Sequence, residues 1–161
     1  RSSGSIGVCG TRADGLFHVE DIDTRDGTEW MVDRLVDLYR KHRVPIVLDP
    51  YGPAGTLVIP LQTEGVQVIG AGGKEIVPAC GLLYDAITGG KSKRPTVRHR
   101  GRPDLTAAVE AASRRKVGDA WRWERREDAQ ASIAPLYAVT LAYMHHRKTA
   151  RSRRVPNVAF V

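Results

Sequence analysis

The chain has 161 residues, a mass of 17.7 kDa, 42% hydrophobic and 27% charged residues. That profile excludes a disordered tail, a collagen-like repeat and a disulfide-stapled mini-protein, and it is long enough for one sizeable core. No stretch approaches the roughly 18 consecutive apolar residues that span a bilayer, and the opening RSSGSIGVCG lacks the apolar core of a secretion signal. The absent initiator Met reads as a cut or processed piece. The net charge of +7 is uneven, since residues 1–80 hold 8 Lys/Arg against 11 Asp/Glu and residues 81–161 hold 17 against 7. A basic half in one domain points to a polyanion partner, with nucleic acid ahead of a membrane surface. Cys9 and Cys80 lie far apart in apolar surroundings and read as small buried hydrophobes in a reducing cytosol, not as a metal cluster.

In chain order, residues 5–10 and 16–23 read as two strands joined by the Asp14-Gly15 turn of a hairpin. Thr28 is the expected cap of a helix through about Arg43, with Met31, Leu35 and Leu38 in one apolar row. Val44–Asp49 reads as a short buried strand, broken by the turn cluster Pro50–Gly55. A short helix from Thr56 to about Glu64 and a strand at 66–69 follow. Residues 75–88 are expected to be helical, with Pro78 tolerated only in the first turn. GGKSKRP is a basic loop, 104–117 an alanine-rich helix, and Ala120–Arg126 an extended segment. On that segment Trp121 and Trp123 share one face and pack inward, while Arg122, Glu124 and Arg126 share the other. Ser132 is expected to cap a last helix to about Lys148, after which comes a basic, then loosely apolar tail. Two strands followed by alternating helix and strand predict one α/β domain with a mixed sheet over residues 1–148, and a tail at 149–161.

Gly89-Gly90-Lys91-Ser92 fails as a phosphate loop, because Asp85 stands where the first glycine belongs and a helix precedes instead of following. Adjacent His145 and His146 point to different sides of a helix and cannot chelate one ion together; His18, His42 and His99 are scattered. Asp49 is different. It ends a buried strand just before a Gly/Pro turn, where α/β sheets hold ligands, so it suits Mg²⁺ or Mn²⁺. An Asp that initiates the turn by accepting backbone amides fits equally well.

The ordered run VDRLVDLYRKHRVPIVLDPYGPAGTLVIPLQTEGVQVI, ACGLLYDAITGG, TVRHRGRPDLTAAVEAASRRKVGDAWRWERR and SIAPLYAVTLAYMHH resembles the C-terminal nuclease domain of phage terminase large subunits. The resemblance implies a ribonuclease-H-like mixed sheet flanked by helices. It implies a metal-dependent endonuclease that cuts concatemeric DNA with two Mg²⁺ or Mn²⁺ ions. Asp49 matches the family's hydrophobic-Asp-Pro carboxylate. The first catalytic Asp lies on a strand that would precede the hairpin here. Ser132 occupies the slot of the third acid, so Asp128, Glu127, Asp21 and Asp23 are the substitutes to consider, with Asp128 first. The expected phosphate contacts are Lys91, Lys93, Arg94, Arg98, Arg100, Arg122, Arg125 and Arg126.

Implied partners are double-stranded DNA, the terminase ATPase domain, the small subunit and the portal, in the cytoplasm of a bacterial host and without a membrane. The alternative is a prophage-remnant DNA-binding or assembly module with the same fold and an incomplete acidic set. The missing first strand belongs in the middle of the sheet, so the gap calls for an upstream segment, a second molecule or a rearranged sheet.

Overall fold

The structure, a computed structural model, describes residues 3–152 and 159–160. Strands β1 (Ser3–Thr11) and β2 (Phe17–Asp26) form the expected hairpin. Its turn closes with the Arg12 amide on the Leu16 carbonyl at 2.7 Å and the Leu16 amide on the Asp14 carboxylate at 3.1 Å. Four short strands join them: β3 (Ile46–Leu48), β4 (Val68–Gly70), β5 (Val97–Arg98) and, from the tail, β8 (Ala159–Phe160). The sheet order is β4-β3-β8-β1-β2-β5. Strand β8 runs antiparallel to β1 and parallel to β3, and β2 runs parallel to β5. The expected mixed sheet is therefore present, and a strand from the tail fills the gap in its middle.

Alternation along β3 divides the core. Ile46 and Leu48 face α1 (Met31–His42) and α2 (Val58–Thr63), with Ile6, Leu35 and Leu61. Val47 faces the other way, toward α3 (Gly73–Thr88), α4 (Pro103–Ala111) and α5 (Ala134–Ser152), with Cys9, Val19, Leu83 and Val139. Helix α5 lies directly on β1 because residue 7 is glycine: a Cβ there would stand 2.7 Å from the Val139 amide nitrogen. Both cysteines are free and buried, as expected, and burial pushes the Cys9 thiol up to about 12. Among the described residues, no helix is long and apolar enough to cross a membrane.

Several elements differ from expectation. Thr28 makes no side-chain cap; α1 begins after Trp30, and the Thr28 carbonyl accepts the Met31 amide instead, at 3.0 Å. Helix α3 opens at Gly73, so Pro78 lies inside it, where it has no N–H to give the preceding turn. The helix expected over 104–117 ends at Ala111. Residues Ala112–Val117 form β6, which pairs antiparallel with β7 (Ala120–Arg125) in a separate two-stranded ribbon. Strand β5 was not expected, and α5 continues past Lys148 to Ser152. Within the tail, residues 153–158 and 161 lie outside the described residues.

Candidate nucleic-acid interface

Asp49 ends β3 half-buried, as its sequence position predicts. Its Oδ1 accepts the Tyr51 amide at 2.9 Å, and its main-chain carbonyl accepts the Gly52 amide at 3.4 Å. These bonds make an Asx turn. Gly52 leaves the carboxylate its room, since a Cβ there would lie 3.0 Å from Oδ2. One carboxylate oxygen is thus committed to the turn.

Tyr137 joins α5 to β7. Its hydroxyl donates to the Trp123 carbonyl, and Trp123 in turn donates its indole N–H to Thr140 at 3.1 Å. Burial pushes the Tyr137 phenol up to about 12; the Asp49 and Glu124 carboxylates add to the rise, and the Arg122 guanidinium opposes it. The charges of Asp49, Glu124 and Arg122 are all felt at this hydroxyl. Glu124 was not among the expected acids. Its alternation with Arg122 along β7 was the available signal. It is ion-paired with Arg115 at 3.0 Å.

The other candidate acids do not gather at Asp49. Asp128 has a side chain 81% exposed and lies 3.6 Å from Arg126. Glu127 is exposed too. Ser132 accepts the Ala134 amide at 3.1 Å and so caps α5, as expected. Asp21 and Asp23 part company at a β-bulge, where Ile6 faces Asp23 and Gly7 faces Asp21, leaving Ile22 as the extra residue. Asp23 consequently meets Arg34 of α1 at 3.4 Å and Arg25 at 2.6 Å, which hold its carboxyl below the usual range. Asp21 is 0% exposed, with neither oxygen in a hydrogen bond and Arg102 3.9 Å away. Burial raises its carboxyl above the usual range.

A divalent ion of the Mg²⁺ type needs several oxygen ligands converging on one point. Among the described residues no three His, Cys, Asp or Glu side chains converge in that way. Asp49 has one oxygen occupied and Ser132 has its oxygen in a cap, so the described residues do not by themselves make up a two-ion centre.

The basic residues fare differently. Lys91, Lys93, Arg94, Arg98, Arg100, Arg122, Arg125 and Arg126 are all exposed. Only Arg126 among them forms an ion pair with a described residue. In the first half of the chain Arg12, Arg25, Arg34 and Arg40 are paired with carboxylates, while Lys41, Arg43 and Lys74 form no ion pair with a described residue. Seven of the eight fall into two groups. Lys91, Lys93, Arg94 and Arg98 cluster near the β1–β2 turn, because β5 pairs Arg98 with His18 at the start of β2. Arg122, Arg125 and Arg126 extend along β7 and just past it. Arg100 donates its amide to the Glu20 carboxylate at 2.7 Å. Trp121 and Trp123 pack inward as expected, their rings edge-to-face at 4.7 Å and against Tyr84 of α3.

No protein-family model matches this sequence, and no curated protein matches it significantly. Among solved structures the chain is similar to one described as the crystal structure of the HK97 bacteriophage large terminase, with a TM-score of 0.64 and 13% identity over 89% of this chain. It spans 38% of that protein's length. The mixed sheet with helices on both faces is thus the ribonuclease-H-like fold found in part of a phage large terminase.

Proposed function

We propose that this chain is a DNA-gripping domain of a genome-packaging terminase, built on the nuclease fold but without a complete set of metal-binding carboxylates among its described residues. The single observation that carries the reading is the state of its basic side chains: eight exposed cations, seven of them without an acidic partner among the described residues. Unpaired, exposed Lys and Arg over one half of a domain bind a phosphate backbone by releasing its counterions, and do so with little regard to base sequence. On this reading the partners are double-stranded DNA and the packaging machinery, namely the ATPase domain, small subunit and portal. Metal-dependent cutting needs more carboxylates than those the described residues bring to Asp49.

A supercoiled plasmid separates binding from cutting. The expected result is retardation of the plasmid, weakening steeply with salt, with no nicking in Mn²⁺. Reversing Arg94 and Arg122 to Glu lowers affinity about tenfold per site and reduces the slope of log affinity against log salt by about one each. Nicking that Asp49→Asn abolishes would overturn the incomplete centre and restore the endonuclease. Failure to bind DNA at low salt would remove the proposal altogether.

A further inference from the structure

We propose that the cavity at the other end of the sheet from Asp49 binds the phosphomonoester of a nucleotide. It has a volume of about 570 Å³ and lies between the β1–β2 turn, the segment after α3 and the late turns of α5. By strand pairing, Asp49 is level with Ser5 and the cavity with Thr11. Six residues of strand rise place the two about 20 Å apart. The cavity is therefore a separate place from the Asx turn.

Its walls are chemically divided. Lys91 and Arg147 bring two cations from different elements, and Thr11, Ser92 and Thr96 line the same cavity, the Ser92 hydroxyl donating to the Gly89 carbonyl at 2.8 Å. Asp85 is the one acid on the wall, and Leu16, Phe17 and Ala86 form an apolar side. The Arg147 guanidinium is held in position. It donates to the Tyr143 hydroxyl at 3.2 Å and its centre lies 6.0 Å above that ring. Thr11 is held from behind by wholly buried His146, whose Nε2 is 2.8 Å from the Thr11 hydroxyl. Gly89 and Gly90, both in the left-handed region at φ of 88° and 51°, fold the loop so that Lys91 and Ser92 reach the wall. The GGKS motif that fails as a phosphate loop thus contributes to a different kind of anion pocket.

Two cations, with the Thr11 and Thr96 hydroxyls on the same wall, suit a dianionic phosphomonoester, which offers three strong acceptor oxygens. Phosphate alone would leave most of the volume unfilled. A nucleoside monophosphate is of the right size for a cavity in this range. It would set its base against the apolar side and a sugar hydroxyl near Asp85. The same group could come from a free nucleotide or from the 5′ end of a DNA strand.

Calorimetry with dTMP, thymidine, inorganic phosphate and oligonucleotides with 5′-phosphate or 5′-hydroxyl ends tests the assignment. The expected result is binding of dTMP at least tenfold tighter than of thymidine or inorganic phosphate, lost by at least tenfold in Arg147→Ala and partly restored in Arg147→Lys. If Arg147→Ala does not fold, Lys91→Ala on the exposed loop carries the test. Preference for the 5′-phosphate oligonucleotide, with dTMP competing, names the DNA end as the source; binding of dTMP alone names the free nucleotide. Equal binding of thymidine and dTMP, or dTMP affinity unchanged by both substitutions, overturns the proposal. Binding of closed circular plasmid is measured in parallel, so loss of the DNA reading and loss of this one are distinguishable.

Discussion

Two buried ionisable side chains give this fold opposite responses to pH. Asp21 faces the α4–α5 side of the sheet with both oxygens lacking a hydrogen bond, and burial outweighs the attraction of Arg102, so its carboxyl is raised. In the unfolded chain the same group ionises near pH 4. Stability on its account is full below that value and is lost as pH rises through the higher folded value. Asp21→Asn removes the ionisation penalty and keeps the shape. The substituted protein is expected to melt several degrees above the parent at pH 7, with the gap closing near pH 4. A melting temperature that falls at both values would show that the charge is needed by Arg102.

His146 behaves the other way. Burial, and then the neighbouring His145, lower its pKa below the usual 6.5. The unfolded chain therefore takes up the proton first as pH falls through 6.5, and stability declines until the folded value is reached. His145 is shifted in the same direction, chiefly by burial. Melting between pH 7 and pH 5 is accordingly expected to drop in the parent and to drop less steeply in His146→Gln. An unchanged slope would place the titration elsewhere.

At the scale of elements, the β6–β7 ribbon is held by its tryptophans. Trp123 is 9% exposed, bonded to Thr140 and packed on Tyr84, and its carbonyl receives Tyr137. Trp123→Ala is expected to cost about 3–5 kcal/mol, the range for emptying a buried aromatic site, measurable by denaturant unfolding. A cost below about 1 kcal/mol would mean that the ribbon is not docked. The inward face of this strand was legible because Trp121 and Trp123 alternate with Arg122 and Glu124. Its partner strand was not, since an alanine-rich run opened by Asp104 reads as a helix through Val117. What ends the helix is the turn at Gly118, in the left-handed region at φ 59°, together with the pairing of Arg114 opposite Trp123. Cross-strand partners are distant information that local periodicity does not contain. The same limit applies at the candidate site. The sequence placed Asp49 at a strand end before a Gly/Pro turn, and that is where it stands. Whether other acids converge on it depended on a bulge at Ile22 and on the direction of a loop, neither of which has a sequence period.

Across the whole molecule, the sheet is held together at its centre by a very short strand. Residues Ala159–Phe160 pair with Val8 and Cys9 on one side and with Ile46 on the other, joining the β1-β2-β5 part to the β3-β4 part. The gap that the family resemblance implies in the middle of the sheet is there, and the apolar end of the chain, which reads as tail, fills it. The physical demand was visible all the same. Ile6, Cys9, Ile46 and Val47 are wholly buried beside that slot, so the backbone groups facing it have no water to fall back on. Each buried group left unpaired costs about 1–3 kcal/mol, and several at once approach the roughly 5–15 kcal/mol that stabilises a domain. A chain ending at Ser152 keeps every helix and all of the candidate interface, yet opens two sheet edges in the core. It is expected to lose its cooperative thermal transition and to bind an apolar dye, while the full chain melts in a single step. If the shortened chain instead melts as sharply as the full one, the two parts of the sheet are held by α5 alone, through its packing on β1 and β3, and β8 is a guest in the slot and not its keystone.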